Sequence, residues 1–202
     1  LGGCAFSEKA IVKIFAVKKR PRFDPLIVHI AEKDDYKLLC STIPSTAEKL
    51  IEAFCPGPLT LVLPKREKVP DIVTSGLDTV AVRMPSHPIA LQLIQYSKCP
   101  IAAPSANRFG HVSPTRAEDV LSDLGDSVDF ILDGGPTLVG VESTVVFVTE
   151  EEIILLRPGG IPIEDIEKVI GRVNIKRKMS KLLSPGLTKK HYSPKTPLYI
   201  YE

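Results

Sequence analysis

The sequence predicts an α/β fold, with parallel and antiparallel strands mixed in one sheet and helices flanking it. Three observations carry this. Short apolar runs, Leu26–Ile30, Leu59–Leu63 and Thr79–Arg83, have strand length and are bounded by turn-forming or charged residues. Amphipathic stretches lie between them, so strands and helices interleave. Thr144–Val148 and Ile153–Leu156 alternate about the polar turn Thr149–Glu152, a hairpin that a purely parallel sheet does not contain. The 202 residues suffice for one large domain, or one domain with a tail, around a real core.

In chain order, Ser7 caps a helix whose apolar face is Ala10, Ile11, Ile14 and Phe15. It runs into Lys18, Lys19 and Arg20, cations that suit a helix C-terminus. Pro21 and Pro25 break the chain before the strand Leu26–Ile30. Ser45-Thr46-Ala47-Glu48 reads as a capping box opening a helix to about Phe54, ended by Pro56-Gly57-Pro58. Leu59–Leu63 follows as a buried strand. Thr79–Arg83 is another, and Pro85 introduces a helix through Ile89, Leu93 and Ile94. Ile101–Ala103 is a strand, and Thr115-Arg116-Ala117-Glu118 a second capping box, opening a helix to about Leu124. Phe130–Leu132 leads to the turn Asp133-Gly134-Gly135-Pro136, the hairpin follows, and Pro162 begins a helix through Ile166, Val169 and Ile170. Arg172–Lys190 holds seven Lys/Arg and no acidic residue, a basic, proline-punctuated linker leaving the domain. The chain opens without Met and Leu198–Tyr201 reads as a strand just beginning, so both ends are expected to be cut.

Formal charge is +2, so any anion site is local and not a property of the whole surface. Cys4, Cys40, Cys55 and Cys99 are scattered with no CxxC pair, which predicts reduced cytosolic thiols over a disulfide framework or a zinc site. His29, His87, His111 and His191 show no HxxxH spacing. No apolar run approaches the roughly 20 residues that span a bilayer. There is no GxxxxGK[ST] loop, no GxGxxG after a strand and no GxSxG elbow.

What remains is a site built from strand ends and loops. Lys18, Lys19, Arg20 and Arg22 form a cationic cluster before a strand, and IAAPSANRFGHVSPT (101–115) runs from a strand into Ser105, Asn107 and Ser113. Hydroxyls and amides donate to phosphate oxygens, and guanidinium forks meet them bidentately. Alternation along Thr79–Arg83 places Thr79, Ala81 and Arg83 on one face. His29 lies within an apolar strand; Ser143 and Thr144 begin another after Glu142, and Arg157 ends one. Arginines recurring at strand ends and loops, where α/β sheets bind ligands, suit phosphate or carboxylate capture without a metal cage.

The segments KKRPRFDPLIVHI, CPGPLTLVLP, GLDTVAVRMPSHPIA, PIAAPSAN…SPT, DGG…GVESTVV and LLRPGGI, in this order, resemble the YrdC-like family of threonylcarbamoyl-AMP synthases over Leu1–Gly171. SPGLTKKHYSP resembles the linker of its two-domain members, which continue into a Rossmann-like C-terminal domain. The resemblance implies a twisted mixed sheet with a concave, positive face. It implies a domain over 1–171, a linker over 172–197, and the start of another domain at 198–202. The implied activity is ATP + bicarbonate + L-threonine → threonylcarbamoyl-AMP + pyrophosphate, serving tRNA threonylcarbamoyladenosine formation in the cytoplasm. Tyr192 matches a linker residue closing over ATP, while Lys18, Arg20, Asp24, Thr79, Ser105, Asn107, Ser113 and Arg157 match ATP positions. Lys18 and Arg20 are the catalytic pair on this reading; His29, Arg83, Ala103 and Ser143 match the threonine pocket. Mg²⁺ is expected through the ATP phosphates. A tRNA or a downstream transferase complex is an expected partner, and no membrane is.

Two departures from the family pattern stand out. Of the usual PTxTVYGLG segment, which contributes a strand and a threonine-contacting hydroxyl, only Leu1-Gly2 is present. Asp24 replaces the usual Asn, so its carboxylate requires compensation from Mg²⁺ or Arg22. Two other classes fit less well. An RNA-binding module would use the same basic face without chemistry, but few aromatics are available for base stacking. A hydrogenase-maturation carbamoyl-adenylate domain normally accompanies acylphosphatase and zinc-finger modules, of which this chain shows no trace.

Overall fold

The computed structural model describes residues 1–175, so Tyr192, most of the 172–197 linker and residues 198–202 lie outside the described residues. In order come β1 (Gly3–Cys4), α1 (Glu8–Lys18), β2 (Ile27–His29), a 3₁₀ turn (Lys33–Asp35) into α2 (Tyr36–Leu39), and α3 (Ser45–Phe54). Then follow β3 (Leu59–Pro64), α4 (Asp71–Thr74), β4 (Thr79–Arg83), α5 (Pro88–Ser97), β5 (Ile101–Ala102) and α6 (Ala117–Leu124). β6 (Thr144–Val148), β7 (Ile153–Arg157), α7 (Ile163–Ile170) and β8 (Asn174–Ile175) complete the described chain.

The strands form one eight-stranded sheet ordered β1-β5-β2-β4-β3-β6-β7-β8. The pairs β2/β4, β3/β6 and β7/β8 are parallel and the rest antiparallel, so the sheet is mixed, with the β6–β7 hairpin at the expected place. Strand alternation divides its two faces. Leu59, Leu61 and Leu63 of β3 pack with Val80 and Val82 of β4 beneath Ile11, Ile14 and Phe15 of α1, Leu50 of α3 and Ile166 of α7. Each such leucine, fully buried, contributes about 1.5–3 kcal/mol. Val62, Ala81, Ile27, Val145 and Ile154 form a smaller apolar floor on the other face. The polar residues Thr60, Arg83 and His29 share that face by alternation, which sets the site on the side away from the main core. α5 serves this side: Ile94 is buried, while Leu93 is exposed and lines a cavity there.

Local signals held unevenly. Ser7 caps α1, accepting from Ala10 N at 3.3 Å. The capping box expected at Ser45 is corrected: Pro44 is the N-cap, with extended backbone at ψ 150°, and Ser45 is the first helical residue, one position too late for its hydroxyl to cap. At α6 the box lies one residue later, with Asp119 Oδ2 accepting backbone N–H groups of Thr115 and Arg116, both at 3.1 Å. The expectation of four reduced thiols is also corrected, since Cys4 and Cys99 form a disulfide. Antiparallel pairing of β1 with β5 brings their Cα atoms to 5.8 Å across a sequence separation of 95, an adjacency that linear spacing hides. Cys40 and Cys55 are buried free thiols. Among the described residues no helix is long and apolar enough to cross a membrane.

Candidate active site

Lys19 ends α1 in the left-handed region at φ 51°, which turns the chain so that Lys18 and Arg20 on either side both point inward and are buried. The Lys18 ammonium donates to the carbonyls of Ser105 and Asn107 and lies 3.5 Å from Asn107 Oδ1, while Lys18 O accepts from Phe109 N at 2.8 Å. The Ser105–Phe109 loop is thereby fastened to the end of α1. Arg20 Nε donates to Asp24 O at 3.1 Å and Nη2 to Pro25 O at 2.8 Å, with its guanidinium 5.8 Å from the Phe109 ring centroid. Nη2 also pairs with Asp24 Oδ2 at 2.8 Å, both side chains being almost wholly enclosed. The cation compensating Asp24 is therefore Arg20 and not the exposed Arg22, because the Pro21–Pro25 turn folds Arg20 back over its own loop. Burial, with Arg20 second, pushes the Lys18 pKa down to about 7. Burial pushes the Asp24 carboxyl up to about 6, against the opposing pull of Arg20 and Lys18. Desolvation outweighs attraction in both, so this nest is prepared for a ligand bringing charge of its own.

The strand register places the next groups. Arg83 stands opposite Thr60 on β3 and His29 on β2, at one end of β4. Its Nε donates to Gly57 O at 3.1 Å, holding the guanidinium against the β3 entry. Burial first, and the Arg83 charge second, push the His29 pKa down to about 3, leaving a neutral imidazole near pH 7. Thr79 begins β4 at the other end, and the pairing of Ile27 with Ala81 sets it beside the Asp24–Pro25 turn. Asp24 Oδ1 and Thr79 Oγ1 are buried without a hydrogen-bond partner among the described residues.

The third group forms where β6 begins and β7 ends. Ser143 O accepts from Arg157 Nε at 3.1 Å and Nη2 at 2.9 Å, and Ser143 Oγ accepts from Nη2 at 3.0 Å. Thr60 Oγ1 lies 2.7 Å from Ser143 Oγ. Ser113 Oγ donates to Glu142 Oε1 at 2.6 Å. Gly159 allows the β7 exit to lie directly on this backbone, since a Cβ there would sit 2.4 Å from Glu142 O, Ser143 C and Thr144 N.

Two cavities meet over these groups. The larger, about 740 Å³, is lined by Ser113, Thr115, Ile131, Leu132 and Gly134 among others, and the smaller, about 390 Å³, by Arg20, His29, Arg83 and Ala103. Ser105, Glu142 and Arg157 line both. Lys18, Asp24, Thr79, Asn107 and Ser143 line neither and stand behind the walls. Sequence reasoning did not single out Glu142 or Thr60. Glu142 directly precedes Ser143, and Thr60 is the one polar residue in the run Leu59–Leu63, so each carried a faint signal. Among the described residues no group of three or more His, Cys, Asp or Glu side chains could hold a metal ion. The arrangement suits a polyanion in the larger cavity and a small ligand beside it, with Arg157 at the join.

A family model described as telomere recombination, covering Sua5, YciO and YrdC, matches residues 1–159, and one for the threonylcarbamoyl-AMP synthase C-terminal domain matches 161–202. The chain is 50% identical over 207 residues to the threonylcarbamoyl-AMP synthase of Pyrococcus abyssi, covering 100% of this chain and 61% of that protein. The Bacillus subtilis enzyme of the same name is 48% identical, at 100% and 60% coverage. The chain thus spans about three fifths of the length of these relatives. P. abyssi Sua5 complexed with L-threonine superposes with a TM-score of 0.93 at 51% identity, covering 96% of this chain and 58% of that one. Escherichia coli YciO shares the fold at a TM-score of 0.72 and 20% identity, covering 82% and 80%.

Proposed function

The chain belongs to the Sua5/YciO/YrdC family, and from that premise we propose that it is the catalytic part of an L-threonylcarbamoyladenylate synthase. As a nucleotidyltransferase it takes ATP, bicarbonate and L-threonine to threonylcarbamoyl-AMP and pyrophosphate, and the adenylate goes on to tRNA threonylcarbamoyladenosine in the cytoplasm. The downstream transferase and tRNA are partners of the product. Residues 1–171 form the catalytic domain. α7 belongs with the catalytic domain because Ile166 is fully buried in its main core.

The observation that carries this reading is the wall of Ser105, Glu142 and Arg157 common to the two cavities. Threonine's amine, once deprotonated, attacks bicarbonate carbon, forming the N–C bond and releasing water. A carbamate oxygen then attacks the α-phosphorus as the bond to the β-phosphate oxygen breaks and pyrophosphate leaves. Two anions must approach, so catalysis is positioning and charge neutralisation, with no covalent nucleophile required. The larger cavity takes the nucleotide, with Ser113, Ser105 and Arg157 at its phosphates. Lys18 and Asn107 hold the Ser105 loop, and Arg20, paired with Asp24, offsets phosphate charge from the wall of the smaller cavity. The smaller cavity takes threonine among His29, Arg83 and Ala103, with Ser143 beneath. Mg²⁺ enters as part of the ATP substrate. The test is pyrophosphate release by the full-length protein: the reading expects dependence on both L-threonine and bicarbonate, and release indifferent to threonine contradicts it.

A further inference from the structure

Among the described residues Glu142 is the one carboxylate lining the smaller cavity, where Arg20, Arg83 and Arg157 supply cations and His29 is neutral. It also lines the larger cavity, which takes the nucleotide. We propose that Glu142 binds the ammonium group of L-threonine and that its neutralisation by that group lets the phosphate charge of ATP approach. The proposal rests on the synthase reading.

Charge leads to it. A polyanion site gains nothing from a carboxylate in its wall, because like charges repel, and more strongly where solvent is thin. Yet Glu142 is firmly held there. Its Oε1 accepts from Ser113 Oγ at 2.6 Å, its backbone O accepts from Gly160 N at 3.0 Å, and Gly159 packs against the same backbone. Among the described residues no ion pair reaches the carboxylate and no hydrogen bond is made to Oε2. A half-buried carboxylate left without a cation suits one brought by a ligand. Arg83 marks where that ligand lies. Burial lowers the Arg83 pKa and the Glu142 charge opposes the shift, so the two groups share one field although no ion pair joins them. An amino acid fits such a gap between separated charges of opposite sign. Its carboxylate meets the Arg83 guanidinium, and its ammonium donates to Glu142 Oε2. ATP then binds beside a neutral pair in place of a bare anion. By linkage ATP tightens threonine binding by the same factor.

The test is equilibrium titration of the full-length protein with L-threonine, with ATP, and with (R)-3-hydroxybutyrate, which is threonine without its amine. Glu142→Gln keeps the shape and the acceptor for Ser113 while removing the charge. It is expected to weaken threonine binding roughly ten- to a hundredfold, the loss of one charge-assisted hydrogen bond, and to leave (R)-3-hydroxybutyrate within about twofold of wild type. ATP affinity without threonine is expected to hold or tighten, and the factor by which threonine tightens ATP to shrink towards one. A role confined to holding Ser113 predicts none of this, since the glutamine still accepts that bond. Glu142→Ala carries the comparison of threonine with (R)-3-hydroxybutyrate if the glutamine variant melts below the assay temperature. Equal losses for those two ligands, unchanged threonine affinity, or an unchanged coupling factor overturn the proposal. So does a loss of ATP affinity that depends on Mg²⁺, which turns the carboxylate towards the metal of the nucleotide. A wild type that binds no threonine and releases no pyrophosphate in response to it overturns the synthase reading, and this proposal with it.

Discussion

Ser113 Oγ donates to Glu142 Oε1 at 2.6 Å, tying the loop after β5 to the start of β6 across the mouth of the larger cavity. A hydrogen bond to a carboxylate is worth about 1.5–3 kcal/mol. Ser113→Ala is therefore expected to weaken ATP binding by roughly ten- to a hundredfold, with a melting temperature close to wild type because the pair is only half-buried. Titration calorimetry and thermal melts together check this. An unchanged ATP affinity removes Ser113 from the nucleotide site.

Arg20 and Asp24 predict a different outcome, since both are enclosed. Arg20→Ala strands the Asp24 carboxylate in the interior, and breaking a buried pair costs about 3–5 kcal/mol. Asp24→Asn in the same chain is expected to recover much of that stability without restoring ATP affinity. Denaturant unfolding of the single and double variants decides it, and equal stability of the two contradicts the pairing.

The Lys18 pKa gives a signed pH dependence. Its folded value of about 7 lies below the ordinary 10.5, so between those limits the unfolded chain holds the extra proton and stability rises with pH. Lys18→Met is expected to flatten unfolding free energy between about pH 7 and 10 relative to wild type. Phosphate charge brought beside a largely neutral Lys18 raises its pKa, so ATP binding at pH 8 should take up protons. Calorimetry in two buffers of different ionisation enthalpy reads that uptake, and proton release contradicts it.

Gly159 is where backbone meets backbone, with no flexible side chain able to yield. Gly159→Ala forces the β7 exit away from Ser143, at a cost of about 1–3 kcal/mol for such overpacking. It should also displace Arg157, so turnover is expected to fall much further than stability. Wild-type turnover at reduced stability would falsify that coupling.

The disulfide between Cys4 and Cys99 closes a loop of about a hundred residues, for which chain entropy alone predicts stabilisation of several kcal/mol, typically about 2–4 as measured. Dithiothreitol should lower the melting temperature of the wild type and leave a Cys4→Ser/Cys99→Ser double variant unaffected. Identical wild-type melts with and without reductant contradict the crosslink.

Much of this fold is legible where chemistry is local. Leu59–Leu63 and the β6–β7 hairpin are apolar runs ended by Pro or polar turns, and they appear as strands within a residue of expectation. Arg83 was visible because it falls in phase with Ala81. What escaped depends on tertiary pairing. Cys4 meets Cys99 only because β1 joins β5. Arg20, not Arg22, answers Asp24 because the proline-bounded turn folds back. Thr60 is one hydroxyl in a leucine-rich strand, and nothing local shows that β6 will bring Ser143 to it. Ser45 sits one residue inside the helix behind Pro44 at the N-cap, an offset of the size at which helix starts are ordinarily misread from sequence.

The central claim is that two cavities with a common wall make one two-substrate site. Titrating the protein with ATP, with and without saturating L-threonine and in the absence of bicarbonate, tests it most directly. Threonine is expected to tighten ATP binding, because Arg157 and Glu142 line both cavities. ATP affinity indifferent to threonine, with each ligand binding on its own, would contradict it.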